Sequence, residues 1–158
     1  MMNTKKLLLS VSFLSALLLS GCASVPLATE QETVEAKSFP APEKGKSGLY
    51  IYRDSFVGKA LKKDIHVDGK CLGETAGKTF FYTQVAGDRN HKISTESEFS
   101  PNDLLIFTES GKNYFVRQYI KMGVFVGGAD LSVSTEEEGK KVISKSDVRL
   151  AKEGYCGN

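Results

Sequence analysis

Lys63-Asp64-Ile65-His66-Val67-Asp68-Gly69-Lys70-Cys71-Leu72-Gly73-Glu74-Thr75 is the stretch whose reading decides the fold. Asp68-Gly69 suits the centre of a primed two-residue turn, because both positions need positive φ and glycine adopts it without a steric penalty. The runs on either side, 63–68 and 71–75, read as the two strands of a tight hairpin. Outward from it, the same grammar repeats. Short runs rich in Tyr, Phe, Ile and Val, bounded by Gly, Asn, Asp or Ser, predict strands at 48–54, 79–86, 91–97, 103–109, 113–121 and 129–134. Turns fall at Gly87-Asp88 and Ser110-Gly111-Lys112. A spacing of about 8 to 12 residues between strands is that of a sandwich or barrel. The expected fold is all-β: a single antiparallel β-sandwich of about seven to eight strands.

Within 113–121, Tyr114, Val116, Gln118 and Ile120 share one face, and Phe115, Arg117, Tyr119 and Lys121 the other. Apolar bulk on both faces marks a strand that is central or covered on its second side. After it, Thr135 followed by Glu138 has the form of a capping box, with acidic residues at the positive end of a helix dipole and Lys140 and Lys141 at the other. A short C-terminal helix is expected, although Gly139 inside it costs about 1 kcal/mol relative to alanine. Val142, Ile143, Val148 and Leu150 fit either a last strand or a continued helix.

The N-terminus has a different chemistry. Lys5 and Lys6 precede an apolar run, Leu7 to Leu19, that closes on Leu19-Ser20-Gly21-Cys22. As a helix the run covers about 20 Å against a hydrocarbon core of about 30 Å, too short to span. The pattern is that of a lipoprotein signal peptide over 1–21, with slim residues before the cleavage site and Cys22 as the acylated first residue of the mature chain. Two or more acyl chains anchor stably where one is marginal, so the membrane becomes a partner through Cys22. Neither Ala23 nor Ser24 is the aspartate that lipoprotein families use for inner-membrane retention, and resemblance to those families favours the outer membrane, facing the periplasm, for a Gram-negative source. Residues 22–47 hold Pro26, Pro40 and Pro42 and few large apolar residues, so they read as a flexible linker, with an irregular first strand as the other reading. The folded domain is then 48–158.

Cleavage removes Lys5 and Lys6 and balances the chain at 19 basic against 19 acidic residues. A neutral domain gives no electrostatic basis for nucleic-acid binding. The cluster Lys59, Lys62 and Lys63 reads as a solvated turn. Of three cysteines, two remain once Cys22 is acylated, and an even count in an exported protein implies a bridge between Cys71 and Cys156 over two free thiols.

Motifs for catalysis fail on inspection. Gly73-Glu74-Thr75-Ala76-Gly77-Lys78-Thr79 has three residues where a phosphate loop needs four, and a strand-like Phe80-Phe81-Tyr82 where a helix must follow. His66 and His91 are the only imidazoles, no metal-ligand spacing is present, and each histidine is expected on the polar side of its strand, solvated or capped. Asp54, Asp64, Asp68 and Asp88 read as turn carboxylates. No catalytic residue, metal or cofactor is expected. The run Ile120-Lys121-Met122-Gly123-Val124-Phe125-Val126-Gly127-Gly128 has two readings: a strand bent into a bulge or covered edge, or an exposed apolar loop that, with Tyr119, Met122 and Phe125, forms a candidate partner surface.

Ile65 to Lys70 with Leu72 to Thr75, then Phe81 to Val85 and Gly87 to Ile93, resemble the turn grammar of PEGA-like domains. More closely, Gly48 to Val142 resembles a family of uncharacterised bacterial lipoproteins built on a domain of unknown function. The resemblance implies a compact sandwich behind a lipoprotein signal and supplies no activity. Three functions follow as expectations. The first is a nonenzymatic, membrane-anchored envelope lipoprotein whose sandwich binds a protein or envelope partner. The second is a glycan- or peptidoglycan-binding module that uses Tyr50, Tyr52, Tyr82 and Tyr119, weakened by the absence of tryptophan. The third is a hydrolase with an unrecognised site.

Overall fold

A computed structural model describes residues 24–157. The signal segment 1–21 and Cys22 lie outside the described residues. Nine strands form two sheets. In chain order they are β1 (Lys46–Arg53), β2 (Lys63–Val67), β3 (Lys70–Thr75), β4 (Thr79–Ala86), β5 (Arg89–Thr95), β6 (Asn102–Thr108), β7 (Asn113–Lys121), β8 (Gly128–Ser134) and β9 (Arg149–Leu150). One sheet has the order β8-β7-β1-β4-β9, the other β3-β2-β5-β6. Among the described residues two helices, α1 (Glu30–Lys37) and α2 (Glu136–Ile143), accompany the sheets. Among the described residues no helix is long and apolar enough to cross a membrane.

The hairpin at Asp68-Gly69 forms as its sequence requires, with φ of 51° and 77°. All eight strands expected from the sequence are present, and the ambiguous 142–152 segment resolves into the end of α2 followed by β9. Two pairings are parallel, β1 with β7 and β4 with β9; the rest are antiparallel. The parallel β1–β7 pair places the C-terminal ends of both strands at the same end of the sandwich.

Strand parity in β1 divides the core. Leu49 and Ile51 point between the sheets, where they meet Ile65, Phe81, Ile93 and Val116. Tyr50 and Tyr52 point to the opposite face, under the helices, against Ala36, Phe80, Phe115 and Ile143. The larger sheet is therefore buried on both faces, which is why β1 reads as continuous apolar sequence. β7 lies between β8 and β1, the central position that its two apolar faces predict.

The linker expectation for 22–47 needs correction. Thr29 and Glu32 form a reciprocal capping box that starts α1, and Ala36 and Thr33 are buried beneath it. Val25 enters the inter-sheet core, and Leu27 bridges to Ala151. Ala36 reaches the aromatic cluster through its carbonyl, which accepts the Tyr50 hydroxyl at 3.1 Å. Composition alone missed this because α1 contributes small residues to a surface that the tyrosines and phenylalanines of other elements make apolar.

Gly139 has a packing reason. A Cβ built there would lie 2.4 Å from Phe115 Cδ1, so the glycine is what lets α2 lie close on the sheet. Gly139→Ala should lower stability by about 2 kcal/mol in a urea melt, because overpacking outweighs the gain in helix propensity. Stabilisation by this change would show that the close approach is not limiting.

Candidate functional site

The residues that sequence reasoning proposed for chemistry do not converge. His91 is 2% exposed and faces inward, not towards the polar side as expected. Its Nδ1 lies 2.6 Å from Asp68 Oδ2 and its Nε2 2.7 Å from the Ala86 carbonyl, so both ring nitrogens are engaged. Burial works to raise the Asp68 carboxyl, but the Lys92 amide and His91 together hold it below the usual aspartate range. Asp88 caps Ser110 through both its amide and its hydroxyl, and those bonds lower its pKa too. Asp54 pairs with Arg117 at the other end of the sandwich. Turn carboxylates at opposite ends make no shared rim.

A groove of about 350 Å³ beside β3 and β4 is lined by Asp68, Arg89, His91 and Glu153. Desolvation pushes the Glu153 carboxyl up, the one acid here to shift that way. With both His91 nitrogens occupied, no imidazole lone pair faces the groove, and the Glu153 carboxyl is bonded to the Thr83 side chain. Asp64, His66 and Cys156 place ligand atoms within 4.8 Å of one another. Cys156, however, is bonded to Cys71 with Cα atoms 6.1 Å apart, which leaves two ligands.

The tyrosines that suggested a glycan platform are mostly unavailable. Tyr50 and Tyr52 are buried under the helices, and Tyr82 is stacked on Tyr50 at 4.5 Å between ring centroids. Tyr119 is half-buried on β7, opposite Asp130 of β8.

What the fold does assemble is an apolar end. The bulge or covered-edge reading of 120–128 fails, because β7 stops at Lys121 and 122–127 is an exposed loop. Met122 is 88% and Phe125 83% exposed, so these two members of the candidate surface share one loop, with Tyr119 recessed in the strand before it. Glu98, in the β5–β6 loop, accepts the backbone N–H groups of Val124 at 2.6 Å and Val126 at 3.3 Å, and that of Phe125 between them. Desolvation opposes its ionisation, but the three donors together hold the carboxyl below its ordinary value. An anionic clasp of this kind orders a loop that has little packing of its own. Nothing in the local sequence signals it, since Glu98 and its donors are 26 to 28 residues apart.

The neighbouring loop, 54–62, is held from inside. Arg53 continues the inward parity of Leu49 and Ile51 and is fully buried. Its guanidinium donates to the carbonyls of Leu61 at 2.8 Å, Gly58 at 2.5 Å and Thr75 at 3.4 Å. Desolvation pushes its pKa down to about 10, which still leaves it charged at neutral pH. Parity along β1 is the signal that could have found it. Beyond the loop, a cavity of about 500 Å³ is lined by Ser24, Val25 and Leu27 together with Phe56, Lys59 and the β3–β4 turn.

Phe125→Asp is expected to leave the melting temperature unchanged within about 0.5 kcal/mol of stability, as for a surface position that supports no core contact. A large loss in thermal unfolding would mean that the ring is structural.

A two-sheet β-sandwich with a helical cover and an apolar loop end defines the class. The chain belongs to the family described as "Protein of unknown function (DUF2846)", whose match covers residues 43–129 and includes all three of these loops. It is also 64% identical over 137 residues to an uncharacterized protein of Haemophilus influenzae (strain ATCC 51907 / DSM 11121 / KW20 / Rd), across 86% of this chain and 80% of that one. No solved structure matches it. The family is thus an uncharacterised one. The PEGA-like likeness rests on turn grammar alone.

Proposed function

We propose that the protein is a nonenzymatic lipoprotein of the bacterial envelope, acylated at Cys22, held at the periplasmic face of the outer membrane, and using its sandwich to contact an envelope component. The observation that carries this reading is the N-terminal sequence, in which Lys5-Lys6, the apolar run 7–19 and Leu19-Ser20-Gly21-Cys22 occur in the order and lengths a lipoprotein signal needs. The Cys71–Cys156 bridge supports it, since such bonds persist in oxidising compartments outside the cytoplasm. Engagement of His91, Asp68 and Asp88 in structural bonds favours a contact module over a hydrolase.

Mass analysis of the N-terminal peptide from native envelopes tests the anchor. The expected product begins at Cys22 and carries acyl groups, and Cys22→Ala remains unprocessed and unacylated. Finding residues 1–21 attached to a bare thiol in the wild-type protein overturns the reading.

A further inference from the structure

We infer that the loop end of the sandwich is a membrane-docking face, so that the β1–β2, β5–β6 and β7–β8 loop tips rest in a phospholipid surface and the domain lies on the bilayer with this end down. The inference rests on the proposed acylation of Cys22 and adds what that reading leaves open, namely which face meets the lipid.

Three observations place the apolar tips together. Parallel pairing of β1 with β7 sends 54–62 and 122–127 out of the same end. The two loops touch: a Cβ at Gly58 would strike Ile120 at 2.8 Å, and one at Gly127 would strike Leu61 at 2.7 Å. Glu98 ties the β5–β6 loop to 124–126. The side chains presented there are Phe56 and Phe99, each 78% exposed, Val124 at 75%, and Met122 and Phe125. Exposed apolar groups grouped at one end mark a contact surface, where single scattered ones do not.

The chain's own connectivity selects lipid as the occupant. Ser24 lines the same cavity as Phe56 and Lys59. Cys22 is two residues before it, and two trans peptide units reach at most about 7.6 Å between Cα atoms. Because 24–29 is built into the fold by Val25 in the core and the Leu27–Ala151 bridge, there is no long tether to let the domain stand off or turn over. An acylated Cys22 therefore holds this end, and no other, within a few ångströms of the headgroups.

The local chemistry suits an interface. The backbone donors of Val124, Phe125 and Val126 are already bonded to Glu98, so they need not be stripped of water as the loop enters. Lys59 lies 3.8 Å from the centroid of the Phe56 ring, where its ammonium can reach a phosphate while the ring points inward. The neighbouring cations Lys62, Lys63 and Lys121 are paired with Glu74, Glu96 and Asp130. Apolar contact rather than net charge thus carries the docking, and zwitterionic lipid suffices.

The chain contains no tryptophan, so one introduced residue reports alone. The full-length acylated protein is reconstituted into phosphatidylcholine–phosphatidylethanolamine vesicles containing brominated lipid, with Phe125→Trp compared against Phe107→Trp, an exposed site on β6. Quenching at 125 is expected to exceed that at 107 by about threefold, consistent with a side chain seated at the headgroup–acyl boundary. It should persist at high salt. Equal quenching at the two sites overturns the inference and returns the loop tips to a protein partner. If native material carries no acyl group, the anchor reading fails by mass, and coupling the Cys22 thiol to a maleimide lipid lets the same comparison decide the orientation separately.

Discussion

Arg53→Met is expected to destabilise the protein by about 3 kcal/mol in equilibrium urea unfolding, since each hydrogen bond from a charged group is worth about 1.5 to 3 kcal/mol and its loss leaves a carbonyl unpaired. Methionine keeps most of the apolar stem but donates nothing, so the carbonyls of Gly58, Leu61 and Thr75 lose their partner together. One effect runs the other way. Burial of the guanidinium is itself costly, and Nε has no partner, so removal of the charge recovers part of the loss. The expected figure is therefore near one strong bond rather than the sum of three. The damage should be local as well, with amide exchange across 56–61 rising much more than across β5. A loss below about 1 kcal/mol, with 56–61 still protected, would show that the loop holds itself and that Arg53 is a passenger.

Removing the disulfide by Cys71→Ser with Cys156→Ser should cost about 3 kcal/mol, against an upper figure of about 4.5 kcal/mol from chain entropy alone for a closure of this length. The sequence separation is 85 residues. The bridge also has a structural consequence. β3 is the free edge of the smaller sheet. The tail lies along it, where Gly154 donates to the Leu72 carbonyl at 2.8 Å and Glu74 donates to the Tyr155 carbonyl at 2.7 Å. A third bond runs from the Gly157 amide to Asp64. Without the covalent tie these few bonds alone must hold 154–157, and fraying would uncover a strand edge able to pair with another copy. Lower stability should therefore be accompanied by faster exchange in 151–157 and by aggregation during refolding. An unchanged midpoint and a monomeric refolding product would mean that the backbone bonds suffice.

Membrane docking and these two results bear on one another. Arg53 fixes the loop that carries Phe56, and the tail pinned by Cys156 belongs to the segment after β9, which packs beside Val25 and Leu27. Loosening either element should blur the geometry that sets the proposed docking end relative to Ser24. Phe125→Asp, in contrast, should alter docking and leave folding alone.

Local chemistry made most of the sandwich legible. Asp68-Gly69 marked a hairpin by its backbone requirement, and Thr135 with Glu138 marked the start of α2 by reciprocal capping. The same signal stood unread at Thr29 and Glu32, where proline-rich flanks outweighed it. Gly139 looked like a weakness because propensity considers the helix alone, and Phe115, the reason for the glycine, is 24 residues away. The tyrosines at 50 and 52 looked available for sugar because nothing in their own strand says that two helices cover that face.

The sequence by itself determined which segments form eight of the nine described strands, to within about two residues at their ends, how the second helix is capped, and that Cys71 and Cys156 were available to each other. Each is a matter of a few neighbouring residues, of composition, or of cysteine number. Only the tertiary structure decided that Arg53 and His91 lie inside, that α1 packs where a tether was expected, and that Phe56, Phe99 and Phe125 share one end beside Ser24. Those outcomes depend on which strands run parallel and on which face a helix comes to cover, and pairing across tens of residues is set by the packing of the whole chain rather than by any one segment.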